Sequence, residues 1–144
     1  MTAGIEEFSK RLTPFCKLET LSINEERMPE NPSAAEKEQV LERETQRLLA
    51  IIPQNSYVIL LDVIGKQLSS PELAAKLDAL TLAGGSHITF VIGGAFGYTD
   101  ALRKRADLAL SFSKMTFTHQ MIRLLLLEQI YRAFKISRGE KYHW

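Results

Sequence analysis

Three short segments rich in glycine and polar residues follow apolar, β-favouring runs, and they are the places where this sequence could hold a ligand. The segments are residues 62–66, 93–98 and 113–118. In open parallel sheets, ligands bind beyond the carboxyl ends of the strands, where such loops converge. Gly93 and Gly94 allow a ligand to approach the backbone closely, although a tight turn explains the Gly-Gly-x-x-Gly spacing equally well. That spacing matches neither a dinucleotide fingerprint nor a phosphate-binding loop.

The histidines and the single cysteine do not form a metal-binding pattern. His87, His119 and His143 show no His-x-x-His spacing, and Cys16 has no second cysteine with which to form a thiolate cluster or a disulfide. We therefore expect no metal, and the lone cysteine indicates a reducing compartment. For each histidine an ordinary structural position is the simpler interpretation.

Positive charge is concentrated towards the C-terminus. Residues 101–144 hold nine Lys and Arg against three Asp and Glu, whereas residues 1–100 hold nine against fourteen. Aromatic residues lie among the basic ones, and they are Tyr131, Phe134, Tyr142 and Trp144. Guanidinium groups beside aromatic rings suit RNA bases and phosphates, but helix packing and a solvated face would explain the same residues. An anionic partner is expected at this end of the chain.

The length and composition predict one globular domain. The chain has 144 residues, of which 45% are hydrophobic, and a formal net charge of +1. A chain of this size can bury a core without disulfides or a structural metal. Its apolar runs, such as residues 124–127, are far shorter than the ~20 residues of a membrane span, and the first residues resemble an amphipathic helix rather than a signal peptide. We expect a cytoplasmic protein without a membrane segment.

Strands alternate with helices along the predicted secondary structure. Helices are expected at residues 1–12, 33–52, 70–82, 100–106 and 119–138, and strands at residues 16–23, 57–61, 87–92 and 108–112. Ser33 with Glu36 forms a capping box, and Ser70 before Pro71 is typical of an N-cap. The alternation predicts an α/β fold with a mostly parallel sheet and helices on both faces.

Six blocks of residues occur in an order that resembles a known family. The blocks are LLDVIGK (60–66), FVIGG (90–94), LSFSKMTF (110–117), HQMIR (119–123), EQIYRA (128–133) and YH (142–143). They resemble the RlmH family of ribosomal large-subunit pseudouridine N3-methyltransferases, of the SPOUT class. The resemblance implies a single domain over residues 1–144 with a trefoil knot near the C-terminus, an exception to the rule that chains do not knot. It also implies a homodimer that binds S-adenosylmethionine and methylates N3 of a pseudouridine in 23S rRNA of the assembled ribosome.

The resemblance assigns cofactor contacts at or beside the three segments identified above. The matching residues are Leu61, Gly93 and a loop of Phe112, Ser113, Lys114, Met115, Thr116 and Phe117. Family members begin with a strand and a Val-Gly-Lys-like turn before the helix that starts this chain, and nothing in this sequence matches them. We therefore expect a fold that lacks the family's first strand.

Methyl transfer to N3 requires removal of the imino proton, and the resemblance directs this chemistry to the C-terminal end. His143 and His119 are candidate bases, and Tyr142 would stack on the target base. Arg123, Arg132 and Arg138 would neutralise phosphates or hold the edge of the base, and Lys141 is a further candidate RNA contact. The tail after Gly139 is expected to be hinged and free until RNA binds. Alternatively, the protein is a non-catalytic RNA- or ribosome-binding dimer that keeps the knotted fold as a scaffold.

Overall fold

The computed structural model describes residues 1–85 and 87–142, and in these ranges the chain forms five helices and three strands. In chain order they are α1 (Thr2–Leu12), α2 (Ala34–Ile51), β1 (Tyr57–Gln67), α3 (Ser70–Leu82), β2 (Ile88–Val91), α4 (Asp100–Arg105), β3 (Leu108–Ser111) and α5 (His119–Ser137). The expected α/β class is therefore confirmed. The trefoil knot stays a prediction.

Contacts between residues divide the chain into two compact units made of interleaved segments. The first unit contains Met1–Thr20, Gln67–Ser86 and Phe112–Trp144, and the second contains Leu21–Lys66 and His87–Ser111. Helices α1, α3 and α5 therefore belong to the first unit. The sheet, α2 and α4 belong to the second, apart from Gln67 at the end of β1.

The sheet of the second unit has β1 in its centre. Its strand order is β2-β1-β3, and β1 pairs with β2 in parallel, with Leu60 opposite Val91. The apolar start of β1 explains this position, since Val58, Ile59 and Leu60 are fully buried. A strand that is covered on both faces is expected to carry such a continuous apolar run. Leu102 of α4 packs into the same core cluster.

Strand β1 is longer than its apolar run. The sequence predicts a loop at residues 62–66, whereas β1 continues to Gln67 and its second half is largely exposed. A Cβ at Gly65 would lie 2.7 Å from the carbonyl carbon and oxygen of Ala109 in β3, so this backbone packs directly on the neighbouring strand. The prediction was wrong because backbone pairing does not require apolar side chains, and the run marks only the buried part of the strand.

Capping boxes begin α2 and α3. In α2, Ser33 Oγ accepts from the N–H of Glu36 at 3.1 Å, and the Glu36 carboxylate accepts from the N–H of Ser33 at 3.2 Å, as predicted. The same pair of bonds joins Ser69 to Glu72 at the start of α3. The predicted N-cap at Ser70 is therefore wrong by one residue, because the glutamate lies three residues after Ser69.

Side chains replace missing backbone partners at two places in the second unit. Asp107 Oδ2 accepts from the N–H of Val58 at 2.8 Å, while the N–H of Asp107 donates to the Val58 carbonyl, also at 2.8 Å. Thr45 of α2 accepts through Oγ1 from the N–H of Thr99, the N-cap residue of α4, at 3.0 Å. The two contacts anchor the start of β1 and the start of α4.

Helix α5 packs against α1 and α3 in the first unit. Leu126, Leu127 and Ile130 are buried on it, and the rings of Phe8 and Phe15 each lie 5.9 Å from that of Tyr131, measured between centroids. Although α5 contains four successive leucines, neither it nor another helix within residues 1–85 and 87–142 is long and apolar enough to cross a bilayer.

Residues 16–23 do not form the expected strand. They are irregular, and Leu21 is 62% exposed, so the alternation of apolar and polar residues does not create a buried face. A period-two pattern specifies a strand only where one face is covered. Cys16 is half-buried at the start of this segment, and burial raises the pKa of its thiol, which lowers its reactivity.

Candidate active site

Leu61 lies in β1, and Gly93 lies two residues after the end of β2, the strand that pairs with β1. Leu60 of β1 is paired with Val91 of β2 in the parallel sheet. Leu61 is the residue after Leu60, and Gly93 comes two residues after Val91. Gly93 is buried and Leu61 is half-buried. The structure therefore brings together two residues that the sequence analysis predicted as cofactor contacts.

The ring of Tyr98 covers Gly93. A Cβ at position 93 would lie only 2.3 Å from Cδ1 of Tyr98, so the ring occupies the space that any side chain there would need. The Arg103 guanidinium lies over the ring, 4.8 Å from its centroid, and its Nε donates to Asp62 Oδ2 at 3.3 Å. Burial raises the pKa of Tyr98 to about 12, and the Asp62 carboxylate adds to this shift. The Tyr98 side chain is therefore uncharged, and its ring is held against Gly93.

Residues 94–97 form a tight turn. The N–H of Gly97 donates to the Gly94 carbonyl at 3.0 Å, and Gly97 has a φ of +97°, which favours glycine. The turn interpretation of the Gly-Gly-x-x-Gly spacing is therefore confirmed. Glu44 of α2 lies against this turn, since a Cβ at Gly94 would be 3.0 Å from Glu44 Oε1. Glu44 is 5% exposed, and within the described ranges its Oε1 has no hydrogen-bond partner.

The loop that follows β3 belongs to the first unit. Its residues are Phe112, Ser113, Lys114, Met115, Thr116 and Phe117, of which the first two are half-buried and the others exposed. Ser113 Oγ accepts from the N–H of Met115 at 3.0 Å, which bends the loop. The loop ends at Thr118, whose hydroxyl caps α5 by accepting from the N–H of Met121. The role of the loop in cofactor binding stays a prediction.

The chain turns back at Gly139, which has a φ of +66°, and Tyr142 packs on α5. The Tyr142 ring is edge-on to that of Tyr131, with centroids 5.0 Å apart, and its hydroxyl donates to Glu128 Oε1 at 3.2 Å. The expectation of a free tail is wrong for Tyr142, because both its ring and its hydroxyl have partners on α5. His143, the candidate base that follows, lies outside the described residues, as does Trp144.

The Arg132 guanidinium is paired with Glu128 one turn earlier on α5. Its Nε donates to Glu128 Oε1 at 3.0 Å, and its Nη2 donates to the same oxygen. Arg132 also lies over the Tyr142 ring, 4.8 Å from the centroid. The structure therefore brings together Arg132 and Tyr142, two residues predicted for different roles, and it balances the charge of Arg132 locally.

The other basic candidates are distributed along α5 and its tail. His119 is exposed as the first residue of α5, and Arg123 is half-buried one turn later. At about 1.5 Å per residue, His119 and Arg132 are roughly 20 Å apart along the helix, so one subunit does not bring them to a single point. Arg138 is exposed, with its guanidinium 4.4 Å from the Phe15 ring centroid, and Lys141 is exposed.

Three residues of these clusters were not identified from the sequence. Glu128 lies four residues before Arg132, and this helical spacing of opposite charges was the signal that could have revealed it. Tyr98 and Glu44 carry no such signal, because their contacts join positions that are distant in the sequence or depend on the turn geometry. Within residues 1–85 and 87–142, no group of three His, Cys, Asp or Glu side chains could hold a metal ion.

Comparison with known proteins identifies the family. A family model described as predicted SPOUT methyltransferase matches residues 1–143. A protein of Halothermothrix orenii named ribosomal RNA large subunit methyltransferase H is 54% identical over 143 residues, which are 99% of this chain and 90% of the relative. A protein of Clostridioides difficile with the same name is 51% identical over 97% of this chain and 88% of its own length. The relative of that name from Acetivibrio thermocellus is 49% identical, with the same two coverages. The chain therefore belongs to the SPOUT methyltransferase family.

Proposed function

We propose that this protein transfers the methyl group of S-adenosylmethionine to N3 of a pseudouridine in 23S rRNA of the assembled ribosome. The observation that carries the proposal is the close match, over nearly the whole chain, to three relatives named ribosomal RNA large subunit methyltransferase H. The position of Gly93 just after the end of β2, the strand that pairs with β1, supports it, because ligands of parallel sheets bind beyond the carboxyl ends of strands. A ribosomal substrate would place the protein in the cytoplasm.

The residues around the end of β2 fit such a cofactor. Leu61 is half-buried and supplies apolar surface, and Glu44 Oε1 beside Gly94 is a buried acceptor that lacks a partner in the described part of the chain. The cofactor carries ammonium, hydroxyl and amine donors, which need acceptors of this kind. When bound, it supplies an activated methyl group and a good leaving group. The loop from Phe112 to Phe117 is proposed as a further part of the site on the resemblance alone.

The protein's own residues would position the base and take its proton. Tyr142 and Arg132 lie together, so an aromatic ring and a guanidinium would meet the same nucleotide. Arg123, Arg138 and Lys141 would bind phosphates. His143 and His119 stay the candidate bases for the N3 proton, and most of the rate enhancement would come from orientation.

A methyl-transfer assay with radiolabelled S-adenosylmethionine tests the proposal. Intact ribosomes, free large subunits and naked rRNA are compared, and ribosomes that carry uridine instead of pseudouridine serve as the control substrate. We expect label in 23S rRNA from intact ribosomes and none from the control. Calorimetry with S-adenosylmethionine accompanies the assay. Ribosome binding without cofactor binding or label would support a non-catalytic binding protein instead.

We also propose that the active form is a homodimer. Apolar side chains near the start of α5 remain exposed in the single chain, with Met115 75%, Met121 41% and Phe117 36% exposed. An isologous two-fold contact is the commonest way to cover such a surface. Sedimentation at micromolar concentration should give a dimer, and Met121→Lys should weaken it. Leu82→Lys, which alters an 88% exposed residue of α3, is the matched control. A stable wild-type monomer would contradict the proposal.

A further inference from the structure

The Glu128 carboxylate on α5 contacts both Arg132 and Tyr142, the two candidate residues that lie together. Glu128 Oε1 accepts from the Tyr142 hydroxyl at 3.2 Å and from Arg132 Nε at 3.0 Å, as well as from Arg132 Nη2. The other oxygen of Glu128 accepts from Gln129 Nε2 at 2.9 Å. Both carboxylate oxygens therefore have partners, and the side chain is only 18% exposed.

Hydrogen bonds that lead to α3 fix the orientation of the Glu128 side chain. Gln129, which donates to Glu128, accepts through its own Oε1 from the Ser70 hydroxyl at 2.6 Å. Ser70 is the first residue of α3, whose capping box fixes the local backbone. A chain of hydrogen bonds thus runs from α3 through Gln129 to Glu128. Such a chain holds the carboxylate in one place more firmly than an isolated exposed ion pair on a helix would.

We infer that Glu128 is a positioning residue, which holds the Arg132 guanidinium and the Tyr142 ring in one fixed arrangement for the RNA substrate. This inference rests on the proposed function. The ring of Tyr142 is restrained by Tyr131 at its side, by Arg132 over its face and by Glu128 at its hydroxyl. Glu128 is the member that connects the guanidinium to the phenol. Misplacement of a substrate-orienting group by about 1 Å can reduce a rate about a hundredfold.

If Glu128 positions Arg132 and Tyr142, loss of the Glu128 charge should affect ribosome binding and the turnover rate differently. Glu128→Gln retains the size of the side chain but removes one negative charge beside Arg132, which favours binding of an anionic RNA. The KM for ribosomes should stay the same or fall, whereas kcat should fall at least about tenfold, because the ring and the guanidinium lose their fixed positions. A purely structural role would instead lower the amount of folded protein without changing the kinetics of the folded fraction.

A spectroscopic measurement detects the arrangement without any reaction. Burial raises the pKa of Tyr142, and the Glu128 carboxylate adds to the shift. The titration of Tyr142 is obtained from the ultraviolet difference between each protein and its Tyr142→Phe counterpart. Glu128→Gln should lower the pKa of Tyr142, and Glu128→Asp, which keeps the charge, should restore part of the shift and of kcat. Asp78→Asn is the matched control, because Asp78 also accepts hydrogen bonds from α5, from Ser137 at 3.0 and 2.9 Å.

The full experiment compares wild type, Glu128→Gln, Glu128→Asp, Tyr142→Phe, Asp78→Asn and the double variant Glu128→Gln/Tyr142→Phe. We expect unchanged S-adenosylmethionine affinity throughout, and a double variant no slower than the slower single variant. Any of three results would overturn the inference. They are a wild-type kcat in Glu128→Gln, a wild-type titration of Tyr142 in Glu128→Gln, and a loss of kcat in the double variant that is simply the sum of the losses in Glu128→Gln and Tyr142→Phe. Absence of methyl transfer by the wild-type protein would instead overturn the proposed function, and the titration alone would then decide the role of Glu128.

Discussion

The Tyr98 ring lies so close to Gly93 that a Cβ at position 93 would be 2.3 Å from Cδ1 of the ring. Substitutions at Gly93 therefore have two consequences. They remove the bare backbone that we propose for the cofactor, and they collide with a ring that Arg103 and Asp62 hold in place. A single substitution at Gly93 does not distinguish the two.

A pair of variants separates steric collision from loss of the cofactor contact. Gly93→Ala should reduce S-adenosylmethionine affinity at least about tenfold and should also lower thermal stability, because overpacking costs about 1–3 kcal/mol. Adding Tyr98→Ala removes the collision, and because the Tyr98 ring packs on the core, the stability of the double variant is compared with that of Tyr98→Ala alone. If the cofactor contacts Gly93, the double variant should still bind weakly in calorimetry. Recovery of wild-type affinity in the double variant would contradict a direct contact.

The C-terminal tail is expected to act in methyl transfer and not in cofactor binding. Deletion of residues 141–144 removes Tyr142 and the candidate base His143, so methyl transfer to ribosomes should fall about a hundredfold or more. Calorimetry should show S-adenosylmethionine affinity within about twofold of wild type. Ser137→Ala, an exposed change at the end of α5, is the control for general effects on this helix. Normal methylation by the truncated protein would exclude His143 as the base.

The ion pairs of Glu26 should make stability depend on acid pH. Hydrogen bonds from Arg43 and then Arg47 lower the pKa of Glu26 below its ordinary value of 4.5. Since folding favours the ionised form, the stabilisation is present above pH 4.5 and is lost as the pH falls through the lowered pKa. Urea denaturation should therefore show wild type more stable than Glu26→Gln at pH 7, with a difference that shrinks below pH 4.5. Glu19→Gln, which removes an exposed pair with Lys17, is the control. A difference that is the same at every pH would contradict this origin.

Asp107 should stabilise the sheet through its side-chain oxygen. Its Oδ2 is the acceptor for the N–H of Val58, a fully buried residue at the start of β1. Loss of that acceptor in Asp107→Ala should lower the free energy of unfolding by about 1 kcal/mol, because the buried N–H loses its partner. Asp107→Asn keeps a carbonyl oxygen and should recover most of the loss in a urea titration. Equal losses in the two variants would show that charge, rather than the acceptor, matters.

Helix positions were predictable because their signals are local. The capping residues Ser33 and Glu36 and the left-handed Gly139 act over three or four residues, so short windows of sequence reveal them. The end of β1 and the supposed strand at residues 16–23 were not predictable in this way. Whether an extended segment becomes a strand depends on a neighbour that is supplied by a distant part of the chain.

In the candidate site, too, some contacts could be predicted from the sequence and others could not. Leu61 and Gly93 could be placed together because the rule for parallel sheets converts strand order into spatial proximity. The Tyr98–Arg103–Asp62 contacts could not, since Asp62 and Arg103 are 41 positions apart. Tyr142 was expected to be free until RNA binds because it follows Gly139 in a short segment whose polar, aromatic character suits a flipped base. The structure shows that its hydroxyl and ring have specific partners on α5, which composition does not reveal.

The backbone conformation of Gly139 limits which residues can replace it. Nothing lies within 4 Å of the position that a Cβ would take there, so a survey based on crowding would rate this residue as freely variable. Its φ of +66°, however, directs the chain back to the face on which Tyr142 packs. A β-branched residue would disfavour that direction by about 1–2 kcal/mol, whereas asparagine tolerates it better. We therefore expect tolerance at position 139 to follow backbone preference rather than side-chain volume.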